Sequence, residues 1–151
     1  MTLSVNDATK LMNAGFSKVQ YTNDEINPCD MFYYNKSTWI VGGKLGPREA
    51  LLCPKDIYEK GTWIPTLDDL IIWLEEREVN FNLSFDGMTY NLELYLEEKK
   101  FKSKGVVKEK CFYNGIMKIL KQFNGSPSVK EYEIIEVELI DEERKSIYFE
   151  I

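Results

Sequence analysis

Apolar and polar residues predict a helix, a hairpin and a second helix between Thr66 and Phe123. Thr66 is placed to cap a helix, because Asp69 follows it at the capping-box spacing. The apolar positions of this helix recur at helical spacing: Leu67, Leu70, Ile71 and Leu74. The second helix is predicted over about residues 107–123, although Gly115 costs it about 1 kcal/mol relative to alanine.

Between these helices, residues 79–85 and 88–96 alternate apolar and polar side chains. The dipeptide Asp86-Gly87 separates them and predicts a hairpin with a two-residue turn. Because the alternation places all apolar side chains on one face, we expect one buried and one solvated face.

The flanking regions predict shorter elements. A helix is expected from Ser4, as its N-cap, to Gly15. Short strands are expected over residues 16–21, 31–34, 39–41 and 51–53, and a turn or one loose helical turn over 54–61. These patterns predict a single α+β domain over residues 1–151. It has antiparallel β-sheet, two main helices packed on one face, a short N-terminal helix and a C-terminal β-hairpin over residues 129–151.

The C-terminal segment changes its alternation part of the way along. Tyr132 and Ile134 are the apolar positions first, and the apolar positions are odd from Ile135 onward, at Val137 and Leu139. Since a strand keeps a period of two, the adjacent isoleucines predict a β-bulge or bend.

Charge is unevenly distributed along the chain, whose formal net charge is −6. Residues 99–121 carry eight lysines and one acid, whereas residues 131–151 carry eight acids and two bases. Such segregated charge favours a charged partner, or contact between the two segments within one chain or between two chains. A homo-oligomer therefore stays an open alternative.

The chain has no histidine, which excludes Ser-His-Asp and Cys-His catalytic arrangements and histidine-containing zinc sites. Cys29, Cys53 and Cys111 are far apart and odd in number, so we interpret them as reduced thiols. We expect no catalytic residues, no metal and no cofactor. The chain shows no secretory signal or membrane span, so we expect a cytoplasmic protein that binds no membrane.

The only glycine-rich segment, residues 42–48, is the candidate ligand site. Its glycines let backbone N–H groups converge on an anion, and its two basic residues supply positive charge. The phosphate-loop spacing is missing, and a plain connecting loop is the competing interpretation. The candidate ligand-binding residues are Gly42, Gly43, Lys44 and Arg48, with Tyr34 and Trp39 beside them.

Charged and aromatic residues form the candidate partner-binding set. Tyrosine and tryptophan are typical of binding hot spots, and they also fill ordinary cores. The set comprises Tyr33, Trp63, Lys99, Lys100, Lys102, Lys104, Glu136 and Glu138.

Three hypotheses about function follow. The first is a non-enzymatic binding protein that acts through a protein partner, such as an inhibitor or immunity-type factor of a bacterium, phage or mobile element. The second is a binder of a phosphorylated or nucleotide ligand through residues 42–48. The third is a nucleic-acid-associated protein that uses the lysines of residues 99–121, which the acidic total of the chain disfavours.

Overall fold

Two antiparallel three-stranded sheets and several helices give the chain an α+β fold. A computed structural model describes residues 2–18, 26–45 and 50–128. The helices are α1 (Val5–Ala14), α2 (Lys55–Lys60), α3 (Leu67–Glu76) and α4 (Lys108–Phe123). The strands are β1 (Met31–Tyr34), β2 (Ser37–Ile40), β3 (Lys44–Leu45), β4 (Ala50–Leu51), β5 (Thr62–Ile64), β6 (Asn80–Phe85), β7 (Tyr90–Leu96) and β8 (Lys99–Gly105).

The larger sheet has the strand order β6-β7-β8, and α4 packs along β7 and β8 on one face. Because side chains alternate across a strand, residues 90, 92, 94 and 96 of β7 face the helices. Leu92 and Leu94 are fully buried there, in one core with Phe112 and Ile116 of α4. Of the two main helices, α4 packs on the sheet face and α3 packs against α4.

Two glycines let α4 lie close to this sheet. A Cβ atom on Gly115 would come within 2.7 Å of Leu94 Cδ1, and one on Gly105 within 2.6 Å of the backbone nitrogen of Cys111. Gly115 weakens the helix locally, as the sequence indicates. The close packing of α4 on the sheet nevertheless requires a glycine at this position.

The predicted helix starts are confirmed. The Thr66 hydroxyl accepts a hydrogen bond from the Asp69 N–H, and the Asp69 carboxylate accepts one from the Thr66 N–H. Ser4 caps α1 in the same manner, by accepting from the Asp7 N–H. Trp73, which the predicted apolar stripe of α3 leaves out, is fully buried and stacks with Phe16 at 5.3 Å between ring centroids.

The smaller sheet has the order β2-β1-β5. Its first turn contains two residues, Asn35 and Lys36, both with positive φ, and β2 begins at Ser37. On one side of the sheet Phe32 packs with Val41 and Ile57 in a second small core.

Some expectations differ from the structure or lie outside the described residues. The hairpin of β6 and β7 pairs Phe85 with Tyr90, so its turn lies one residue later than predicted, around Gly87 and Met88. Residues 16–18 form no strand, and Phe16 is part of the core instead. The rest of that predicted strand and the C-terminal hairpin over 129–151 lie outside the described residues.

The predicted buried face of the sheet is confirmed for β7 but incomplete for β6. Phe81 packs edge-on against Phe112, whereas Leu83 and Phe85 are 37% and 55% exposed. The helices contact β7 and β8 far more than β6, so the apolar residues of β6 extend past the helical layer.

Candidate functional site: a basic groove beside β8

Three lysines form a row on the open face of the larger sheet. Lys100, Lys102 and Lys104 alternate along β8 with Phe101 and Ser103, which face the helices. The row is exposed because no described helix packs on this face. The partner-binding candidate Lys99 is also exposed, at the other end of β8, in register with Leu96.

Side chains of α4 close the outer edge of β8. The Asn114 side-chain amide donates to the Lys104 carbonyl oxygen at 2.9 Å, and the Lys118 ammonium donates to the Lys102 carbonyl oxygen. An edge strand normally offers such carbonyls to another strand. Here they are already bonded, so this edge is poorly suited to strand addition.

The same side chains line a groove of about 580 Å³ between β8, α1 and α4. It continues around the strand into a second depression of about 520 Å³ that shares Ser103, Lys104 and Lys118 with it. We define the basic groove by the five exposed lysines that line these two depressions: Lys10, Lys102, Lys104, Lys118 and Lys121.

Positive charge in this groove is almost uncompensated. Glu93 is the one acid that lines it within the described residues. The Tyr95 hydroxyl and then the Lys100 ammonium, 3.3 Å away, hold the pKa of Glu93 below its usual value. None of the five groove lysines has a carboxylate of the described residues within ion-pair distance (4.0 Å).

Lys118 and Lys121 are missing from the predicted partner-binding set, and only the nucleic-acid hypothesis over residues 99–121 includes them. Asn114, Lys118 and Lys121 are spaced i, i+4 and i+7, so they form one polar stripe beside the buried face of α4. Lys110 is directed elsewhere, toward Asp7 at 2.8 Å. The polar stripe was the available signal, but only the fold brings it next to the lysine row of β8 and to Lys10 of α1.

The structure places the aromatic candidates mainly against the protein interior. Trp63 and Tyr33 are half-buried and pack against the main core, and Lys18 lies over the Trp63 ring at 5.1 Å. Tyr34 packs against the second core. Trp39, in contrast, is 41% exposed, and it donates its indole N–H to the Tyr34 carbonyl at 3.0 Å. None of these four residues lines the basic groove.

The glycine-rich candidate site is described only in part. Gly42 lies against Leu52, where a Cβ atom would come within 2.8 Å of the Leu52 Cβ. Gly43 has open space around it. The side chain of Lys44 and all of Arg48 lie outside the described part of the chain, as do Glu136 and Glu138 of the partner-binding set.

Two further chemically distinctive side chains, Cys111 and Arg77, are buried in the core. Cys111 is fully buried, and burial raises the pKa of its thiol, which opposes thiolate formation. Arg77 is 4% exposed, stacks on Trp73 and donates to the Trp73 carbonyl and to Ser17. Both side chains contribute to the packing of the surrounding elements.

Over residues 2–18, 26–45 and 50–128, no three His, Cys, Asp or Glu residues form a group suited to a metal ion. Among the helices described, none is long and apolar enough to span a bilayer. Comparison of the chain with protein-family models, with curated proteins and with solved structures finds no match.

Proposed function

We propose that the protein is a non-enzymatic binding protein whose basic groove receives an acidic segment of a protein partner. The observation that carries the proposal is the convergence of five lysines from α1, β8 and α4 around one groove. Like charges so placed repel one another, and a ligand with several negative charges relieves that repulsion.

The side chains that line the groove favour a polypeptide over single-stranded nucleic acid. Binding of single strands uses exposed aromatic faces on which the bases stack. Tyr113 is the one aromatic residue lining the groove in the described part of the chain, and it is 94% buried beneath Lys110. Met117 offers an apolar contact instead, as a side chain of a protein partner would use.

Electrostatics also sets the expected strength of binding. An exposed ion pair contributes about 0.2–1 kcal/mol and weakens as salt increases. Five such pairs give a modest, salt-sensitive affinity with a fast association rate. The partner must therefore add contacts outside the groove for tight binding.

A matched pair of double variants tests the proposal. Lys104→Glu with Lys121→Glu reverses two groove charges without removing a hydrogen bond that either side chain donates in the described structure. Lys36→Glu with Lys55→Glu makes the same change in net charge at exposed lysines away from the groove. Partners captured from the organism that encodes the protein are identified by mass spectrometry, and their binding is then measured by calorimetry with purified components.

We expect an acidic protein partner whose affinity falls at least about tenfold, ~1.4 kcal/mol, in the groove variant and stays nearly unchanged in the control. Equal affinities for both variants would contradict the proposal. A nuclease-sensitive ligand that depends on the groove lysines would replace it with the nucleic-acid hypothesis.

A further inference from the structure

The two depressions of the basic groove differ in charge. Four lysines line the first depression, of about 580 Å³, and within the described residues no acid does. These lysines are Lys10, Lys104, Lys118 and Lys121. The second depression, of about 520 Å³, shares Lys104 and Lys118 with the first, adds Lys102 and contains the carboxylate of Glu93. A negative charge on a ligand is therefore favoured most strongly in the first depression.

The carboxylate of Asp7, which lies one turn before Lys10 on α1, pairs with a lysine outside the groove. The Lys110 ammonium is 2.8 Å from this carboxylate and lies over the Tyr113 ring at 4.5 Å from its centroid. Tyr113 is buried and belongs to the lining of the first depression. Asp7 and Lys110 therefore compensate each other's charge beside the depression, and they add no net charge to it.

The donor groups of the first depression match a phosphate better than a carboxylate. An ammonium group carries three N–H donors, of which Lys118 uses one on the Lys102 carbonyl oxygen. A phosphorylated side chain has three strong acceptor oxygens and a charge of about −1.5 to −2 at neutral pH. A carboxylate has two oxygens and a single charge. Four lysines around one depression therefore gain more from a phosphate.

The size of the groove favours a phosphate that is carried by a longer ligand. Each depression is large enough for a ligand much bigger than a phosphate ion. The two depressions are continuous, because they share Ser103, Lys104 and Lys118. In the second depression Asn91 and Lys102 offer polar contacts, while Glu93 repels a second phosphate. This arrangement fits a polypeptide with one phosphorylated residue and polar neighbours.

We infer that the first depression binds a phosphorylated side chain on the acidic segment of the partner, and that the adjoining residues of that segment lie in the second depression. The inference rests on the proposed function and adds the chemistry of the group that is recognised. Phosphorylation of the partner then strengthens its binding to this protein.

Two synthetic peptides test the inference with the full-length protein. They share one glutamate-containing sequence, with phosphoserine at the central position in one peptide and glutamate there in the other. At about pH 7 and low salt, we expect calorimetry to give about fivefold tighter binding of the phosphoserine peptide, because it forms further ion pairs. This preference should shrink toward about pH 5, where the phosphate carries a single negative charge.

Matched double variants locate the phosphate within the groove. Lys10→Gln with Lys121→Gln removes two charges that line the first depression alone. Lys55→Gln with Lys102→Gln removes one charge from the second depression and one from an exposed lysine away from the groove. Both variants should bind each peptide more weakly than the wild type does. We expect the preference for phosphoserine to fall below about twofold in the first variant and to stay at about fivefold in the second.

Four results would overturn the inference. Equal affinities of the two peptides for the wild type would reject the phosphate site alone, since binding of both through the groove lysines still supports the proposed function. A preference that survives Lys10→Gln with Lys121→Gln would place the phosphate elsewhere. Displacement of the phosphoserine peptide by inorganic phosphate, at a concentration similar to the Kd of the peptide, would assign the site to a free anion. Absence of binding by either peptide would reject the proposed function together with the inference.

Discussion

The two edges of the larger sheet have opposite chemistry. At β8 the edge carbonyls of Lys102 and Lys104 are bonded by side chains of α4, and lysines surround them. At β6 the edge has no hydrogen-bond partner in the described residues, and two residues of the strand, Leu83 and Phe85, are exposed and apolar. Within the described residues, one sheet therefore has a closed, charged edge and an unpaired, apolar one.

This difference separates two modes of binding. The edge at β8 is poorly suited to strand addition, so contacts there are made by side chains and depend on charge and salt. An open edge binds through backbone hydrogen bonds and apolar side chains, which is the mode of strand addition. The polar stripe of α4 both closes the β8 edge and lines the groove, since Asn114 and Lys118 do each of these.

The largest expected effect on the free energy of unfolding concerns two leucines that lie opposite each other on β6 and β7. Leu92 of β7 and Leu83 of β6 are opposite each other in register, but Leu92 is 1% exposed and Leu83 is 37% exposed. We expect Leu92→Ala to lower the free energy of unfolding by about 3 kcal/mol and Leu83→Ala by about 1 kcal/mol. Urea unfolding measures both. Equal losses would show that the two strands are equally buried.

The second prediction concerns the contact that holds α4 over β8. A Cβ on Gly105 would meet the Cys111 backbone nitrogen at 2.6 Å, whereas one on Gly43 would meet nothing within 4 Å. Gly105→Ala should therefore lower the free energy of unfolding by about 2 kcal/mol. Gly43→Ala, the control, should change it by less than about 0.5 kcal/mol. A neutral Gly105→Ala would mean that α4 moves away from the sheet without loss.

A third change opens the β8 edge. Asn114→Ala with Lys118→Met removes both donors to the edge carbonyls and should cost about 1 kcal/mol of unfolding free energy. Because the edge then resembles that of β6, we also expect light scattering to rise with concentration and temperature. Lys121→Met removes a groove charge but no edge hydrogen bond, and it should leave scattering unchanged. Scattering that is the same in all three proteins would argue that the edge needs no closure.

The smallest effect is a pH dependence of the turn that joins β6 to β7. Hydrogen bonds from the Thr89 and Met88 N–H groups hold the pKa of Asp86 well below its usual value of 3.8. A lowered folded-state pKa stabilises the fold above the unfolded-state pKa, and this contribution is lost as the pH falls.

Between about pH 5 and about pH 2, the melting temperature of the wild type should therefore fall more than that of Asp86→Asn, which keeps an acceptor without titrating. Parallel curves for the two proteins would rule out a role for the ionised carboxylate.

The sequence predicts the central region well because local signals and burial agree there. The Thr66 cap, the alternation in β7 and the stripe of α4 each predict the observed element. The turn around Gly87 lies one residue later than predicted. The Asp86 side chain accepts hydrogen bonds from the Met88 and Thr89 N–H groups, so Asp86 precedes the turn centre instead of occupying it.

The basic groove could be predicted only in part. Lys102 and Lys104 are visible as a charged run, but Lys10 and Lys121 are 111 residues apart and meet only through the packing of α1 on α4. The half-buried positions of Tyr33 and Trp63 likewise depend on how the smaller sheet meets the main core, which no local pattern specifies.

The most direct test of the account is NMR mapping of a glutamate-rich peptide onto the labelled full-length protein at low salt. We expect the amides around Lys10, Lys104, Lys118 and Lys121 to shift in a saturable manner, with the shifts suppressed as the ionic strength is raised through the physiological range, about 0.15 M. The NMR signals of the β6 amides should not shift. Shifts confined to β6, or spread over lysines throughout the surface, would contradict the assignment of the basic groove as the binding site.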